Sequence, residues 1–154
     1  MAARAQEVMK KYLSGGYNCS QSIISGYCDL FGLDEKTAFK LSEGFGMGMG
    51  GFLDECGAVT GTFMVLGLAN SDGLLEKGTT KHDTYRKVKE MGEAFQSHFD
   101  TMMCGELMAK EKALKAAASA QELEEARGKK LICVECVRWA AQYLDQALGL
   151  QDEK

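Results

Sequence analysis

Proline is absent from the 154 residues. It breaks helix interiors and mid-sheet ladders alike, so a chain without it is free to run in helices. Punctuation then falls to glycine, of which there are 18. Histidine is nearly absent. His82 and His98 are the only two, both on one expected helix. No His-Glu-x-x-His zinc signature and no Ser-His-Asp arrangement can be assembled, so hydrolase machinery is not visible. A basic excess is missing: 18 Lys and Arg face 22 Asp and Glu, a net charge of −4. That argues against a nucleic-acid partner, because counterion release needs a basic face. Long apolar runs are missing too. The longest uncharged one, Ala58–Ala69, falls short of the roughly 20 residues that span a bilayer. Met1 to Glu7 shows no apolar h-region, so no secretory signal is read and no membrane insertion is expected.

What is present is ordinary for one globular domain, expected over 1–154. Hydrophobic residues make up 45% and charged residues 26%. The six cysteines are the exception. Without a leader they read as reduced thiols of a cytoplasmic protein, where such residues serve metal binding or redox chemistry more often than disulfide scaffolding.

The pattern predicts an all-α bundle of about six helices. Val8, Met9, Tyr12 and Leu13 sit at helical spacing in a first helix over 2–14, stopped by Gly15-Gly16. Asn18 caps a second over 19–31, ended by Gly32, and Asp34 a third over 35–43. A glycine-rich loop, Gly44–Gly51, precedes a central fourth helix over 55–68, capped by Asp54. A fifth runs over 80–99 and the last over 129–148. Between them, Cys104 opens a short turn. Lys110–Gly128, rich in Ala, Glu and Lys, is expected to be helix-prone, poorly anchored and lid-like.

The glycine loop reads either as a connector or as a close backbone approach to a phosphate, a cluster's sulfides or another helix. No Gly-Lys-Ser/Thr follows it and no strand precedes it, so P-loop and dinucleotide readings are weak. Gly57 and Gly61, spaced i, i+4, leave a bare stripe that lets a helix or a bound group pack closely. The nine methionines read as core filler. Cys28 reads as a small core hydrophobe. Cys19 and Cys56 each fall in the first turn of a helix, where free N–H groups and the dipole favour a thiolate, and Cys104 has the same setting. Cys133 and Cys136 form a CxxC within the last helix. Cys133, Val137, Ala140 and Leu144 make the inward stripe, which puts Cys133 at the site and Cys136 at its edge, as a peripheral or substitute partner.

Cys56-Gly57-Ala58-Val59-Thr60-Gly61, with Met64-Val65-Leu66-Gly67-Leu68 behind it, resembles the hallmark of the C_GCAxxG_C_C family of redox-active proteins. Asn18-Cys19-Ser20-Gln21-Ser22, Phe45-Gly46-Met47-Gly48-Met49, Cys104-Gly105-Glu106-Leu107, and Cys133 followed by Val137 and Arg138 are similar to its other elements. The resemblance covers about residues 8–148. It implies that Cys19, Cys56, Cys104 and Cys133 form one thiol site, and it assigns nothing to Cys28 or Cys136. A related domain in split-Soret cytochromes binds an iron–sulfur cluster, whereas the lack of Cys-x-x-Cys-His here implies no haem.

Such a set could cycle between dithiol and disulfide, ligate an iron–sulfur cluster, or bind zinc as a Cys₄ site. Zinc ligands usually come in close pairs. These four are separated by tens of residues, which weakens zinc and leaves the other two readings level. The expected partner is a redox protein, with the oligomeric state open and a homodimer among the options. A module that docks on a transporter or redox partner, its cysteines only core, is the alternative from another class.

Overall fold

The computed structural model describes residues 1–150; residues 151–154 of the expected 1–154 domain lie outside them. The chain enters α1, Ala3–Leu13, on the buried stripe Ala5, Val8, Met9 and Tyr12. Helix α2, Cys19–Tyr27, begins at a reciprocal cap. The Asn18 side chain accepts the Gln21 N–H at 2.8 Å, and the Gln21 side chain accepts the Asn18 N–H at 2.9 Å. A tight turn, Cys28–Phe31, then closes on Gly32 in the left-handed region (φ 74°). The Asp34 side chain accepts the Thr37 N–H at 2.9 Å to start α3, Glu35–Ser42.

Helices α4, Gly57–Asn70, and α5, Lys81–Phe99, follow. The short α6, Cys104–Met108, α7, Glu111–Ala117, and α8, Ala120–Glu125, lead to α9, Leu131–Ala147. All six expected helices are present, and the three short ones fill the stretch before α9. The described residues contain no β-strand, only an isolated antiparallel bridge between Glu55 and Met103. Among them no helix is long and apolar enough to cross a membrane.

α2 is buried along nearly its whole length and is the axis of the bundle. It can be so because its contact residues are small. A Cβ added at Gly26 would stand 2.3 Å from Val8 Cγ2 of α1. One added at Gly61 of α4 would stand 3.0 Å from both Ile23 Cβ and the Ser20 carbonyl oxygen. Gly57 lies against Cys19 and Ser20, and Gly61 against Ser20 and Ile23. α2 and α4 therefore run side by side in the same direction, and their N-termini meet at one end of the bundle. At the far end the buried Asp145 of α9 ties three helices. It accepts the Tyr27 hydroxyl at 2.7 Å and the Ala5 N–H at 3.1 Å, serving as a remote cap for α1.

The 110–128 segment is better anchored than its composition suggests. Glu111 at the start of α7 accepts the Leu131 and Ile132 N–H groups, each at 2.9 Å. It thereby caps α9 from outside.

Candidate functional site

The N-terminal parts of α2, α4, α6 and α9 converge on one cavity of about 320 Å³. Cys19, Cys56, Cys104, Cys133 and Cys136 all line it, with Tyr12, Met47, Leu107, Met108 and Ile132. Cys28 does not. It is 1% exposed, and its thiol donates to the Ser25 carbonyl at 3.6 Å, the core role expected of it. All six cysteines are free.

The glycine-rich stretch positions this site. It is no slack connector: Met47, Gly48 and Met49 form a left-handed turn with φ of 54°, 64° and 70°. Gly48 is required there twice over. Its φ suits glycine, and a Cβ would stand 2.6 Å from both the Asp54 nitrogen and Cys104 Cβ. The chain then runs 53–56 alongside 102–105. The Cys56 N–H donates to the Met102 carbonyl at 2.9 Å, the Cys104 N–H to that of Asp54, and the Gly105 N–H to that of Leu53 at 3.0 Å. This main-chain pairing fixes Cys56 and Cys104 on two adjacent stretches of chain, and both line the cavity. It also corrects the expected start of the central helix: Asp54 and Glu55 belong to the pairing, Cys56 takes the N-cap position and α4 begins at Gly57. Gly57 and Gly61 are bare for the reason expected. A Cβ on Gly57 would fall 2.3 Å from Cys19 Sγ, and Gly61 admits the α2 backbone.

The electrostatics single out Cys56. Its pKa is lowered, first by a hydrogen bond from the Cys136 thiol and then by the Ala58 and Val59 N–H groups of the α4 start; burial and Glu55 oppose this. The other four thiols rise. Burial pushes Cys19 up to about 12, helped by Cys56 and Cys133. Burial, then Cys56, raises Cys133 to about 11, although the neighbouring Tyr12 hydroxyl pulls the other way. Cys104 is raised by burial and Cys56, and its thiol lies 3.7 Å from Met108 Sδ. Cys136 is raised, chiefly because its proton serves Cys56. Of the helix-start thiols only Cys56 is lowered, with the Cys136 thiol as the first cause and the α4 N–H groups behind it. At Cys19 and Cys104 burial outweighs the helix start.

Cys136 corrects the sequence reading most. It is 1% exposed and lines the cavity together with Cys56, so it sits within the site rather than at its edge. Cys133 lines the same cavity and is only partly buried. Among the described residues, no three His, Cys, Asp or Glu side chains are grouped so as to hold one metal ion. The closed tetrahedral zinc site is therefore not preformed. Iron–sulfur clusters distribute their thiolates over several irons and need no such convergence.

No curated protein and no solved structure matches the chain. The family profile of C_GCAxxG_C_C, described as "Putative redox-active protein", matches residues 17–147. That span holds the left-handed turn, both central glycines and all five thiols of the cavity, and the chain belongs to this family.

Proposed function

We propose that the protein is a thiol–disulfide redox protein whose working pair is Cys56 and Cys136. One arrangement carries the reading: Cys56 at the start of α4 and Cys136 of α9, both buried, line one cavity, and the Cys136 thiol is the first cause lowering the Cys56 pKa. The Cys56 thiolate attacks one sulfur of a substrate disulfide. The substrate S–S bond breaks, a mixed disulfide forms and the leaving thiolate is protonated from solvent. Cys136 then loses its proton and attacks Cys56 Sγ of the mixed disulfide. The second substrate thiol leaves, and Cys56–Cys136 is the new disulfide. The two electrons that reduce the substrate come from this pair. An external dithiol, from a small molecule or a redox partner protein in a reducing compartment, restores it. Cys19, Cys104 and Cys133 around the same cavity are the further thiols onto which the disulfide can pass.

A second reading is favoured by the number of thiols. Cys19, Cys56, Cys104 and Cys133 ring a cavity larger than a disulfide needs, and their chemistry suits iron–sulfur ligation. A cluster held there would supply one-electron transfer. In that case Cys136, in the same lining as Cys56, would tune the cluster from beside a ligand.

Protein purified without oxygen separates the two. The dithiol reading expects a colourless protein that consumes one equivalent of a small disulfide and releases both of its thiols. Brown protein carrying iron and acid-labile sulfide decides for the cluster. Thiols that stay inert in the folded, metal-free protein but titrate after denaturation overturn both readings.

A further inference from the structure

The cavity that holds the working pair has a chemical bias at its mouth. Its only charged lining residues among those described are Lys129 and Lys130, and no acidic side chain lines it. Lys129 stands over Tyr12: its Nζ lies 4.9 Å from the ring centroid, and Tyr12 lines the cavity together with Cys133. The ammonium therefore stands on the cavity wall beside the thiols.

The carboxylates of Glu111, Glu55 and Asp54 lie nearby, outside the lining. Glu111 turns both of its oxygens to the Leu131 and Ile132 N–H groups. Glu55, behind Cys56, is held above the usual carboxylate range by burial and by Asp54, which favours its neutral form. The start of α4 adds the positive end of its dipole. The lining also includes the apolar Leu107, Met108 and Ile132.

Size and access narrow the ligand further. Cys56 is 8% and Cys136 1% exposed, so both are reached only through the cavity. About 320 Å³ is at the small end of ligand pockets. A disulfide on the surface of a folded protein does not reach that far in.

Resting on the thiol–disulfide reading, we infer that the substrate is a small-molecule disulfide carrying negative charge, drawn in and oriented by Lys129 and Lys130 above Cys56. The step is the exchange described above. The substrate S–S bond is reduced to two anionic thiols while Cys56 and Cys136 are oxidised to a disulfide.

The test uses the full reduced chain and three disulfides of similar size and different charge: dithiodipropionate (dianion), hydroxyethyl disulfide (neutral) and cystamine (dication). Each rate is divided by that of the same disulfide with a small neutral thiol, which removes intrinsic reactivity. The expected order is dianion, neutral, dication, with the first ahead of the last by about tenfold or more at low salt. Lys129→Gln with Lys130→Gln should collapse that ratio, Lys129→Arg should keep it, and about 1 M salt should erase it. Equal normalised rates, or a dication that reacts fastest, overturn the anionic substrate class and leave the working pair intact. If none of the three reacts while the thiols titrate after denaturation, the thiol–disulfide reading itself falls.

Discussion

Gly61→Ala tests whether the site rests on close contact between α2 and α4. In an open helix interior the change stabilises by about 1 kcal/mol, because alanine has the higher helix propensity. At Gly61 the new methyl would meet Ile23 Cβ and the Ser20 carbonyl oxygen at 3.0 Å and Ser20 Cα at 3.3 Å. All three are backbone atoms or sit one bond from the backbone, so no rotamer change relieves them. The helices must separate by a few tenths of an ångström, and overpacking of this kind costs about 1–3 kcal/mol. The net expectation is a loss of about 1 kcal/mol, with a range from near zero to 2. Gly67 is the internal control. It lies in the same helix with nothing within 4 Å of an added Cβ, so Gly67→Ala should stabilise by roughly 0.5–1 kcal/mol. Urea unfolding of both variants, compared at equal m-value, reads the difference. In thermal unfolding each kcal/mol corresponds to about 2–4 °C for a chain of this size. If Gly61→Ala stabilises as much as Gly67→Ala, the close approach of α2 is not real.

Other expectations follow from the thiols and from the clasp at the far end. Cys136→Ala removes the proton that supports the Cys56 thiolate. Alkylation of Cys56 at mildly acidic pH should slow by about tenfold for each unit its pKa climbs, and an unchanged rate would break the assigned pair. Cys19 and Cys133 have folded pKa values raised to about 12 and about 11, above the roughly 8.5 of an unfolded thiol. The folded state therefore holds their protons more tightly. Their contribution is fully present below about pH 8.5 and is lost as pH rises through those values, by up to about 1.4 kcal/mol per pH unit for each thiol. Denaturant midpoints measured from pH 7 to 10 should fall, and Cys19→Ser should flatten the slope; a flat wild-type profile would contradict the raised pKa values of these thiols. Asp145→Ala strands the Ala5 N–H and leaves the Tyr27 hydroxyl only the Ala141 carbonyl. It should cost about 2–3 kcal/mol without altering the reactivity of Cys56.

The helices were legible because their signals are local. Asn18 with Gln21, Asp34 with Thr37, and Gly32 each fix an end within a few residues. The convergence of Cys19, Cys56, Cys104 and Cys133 was reached through the family resemblance together with the helix starts at three of them. What could not be read is non-local. The pairing of 53–56 with 102–105 uses main-chain groups alone, which leave no trace in side-chain pattern. Cys136 departs from the stripe for a different reason. The single stripe Cys133, Val137, Ala140 and Leu144 assumes that α9 packs on one side, whereas Leu131, Ile132, Val134, Cys136 and Ala141 are buried as well. A helix covered over so wide a face has no edge at Cys136. Its CxxC spacing with Cys133 is the sequence signal that places it at the site.

The central claim is that Cys56 and Cys136 act as one redox pair. The most direct measurement is peptide mapping by mass spectrometry of the reduced chain after one equivalent of a small disulfide, quenched in acid to stop reshuffling. The account predicts a cross-link between the peptides carrying Cys56 and Cys136, with Cys28 free. A first disulfide that joins any two of Cys19, Cys104 and Cys133 while Cys56 and Cys136 remain reduced would contradict it.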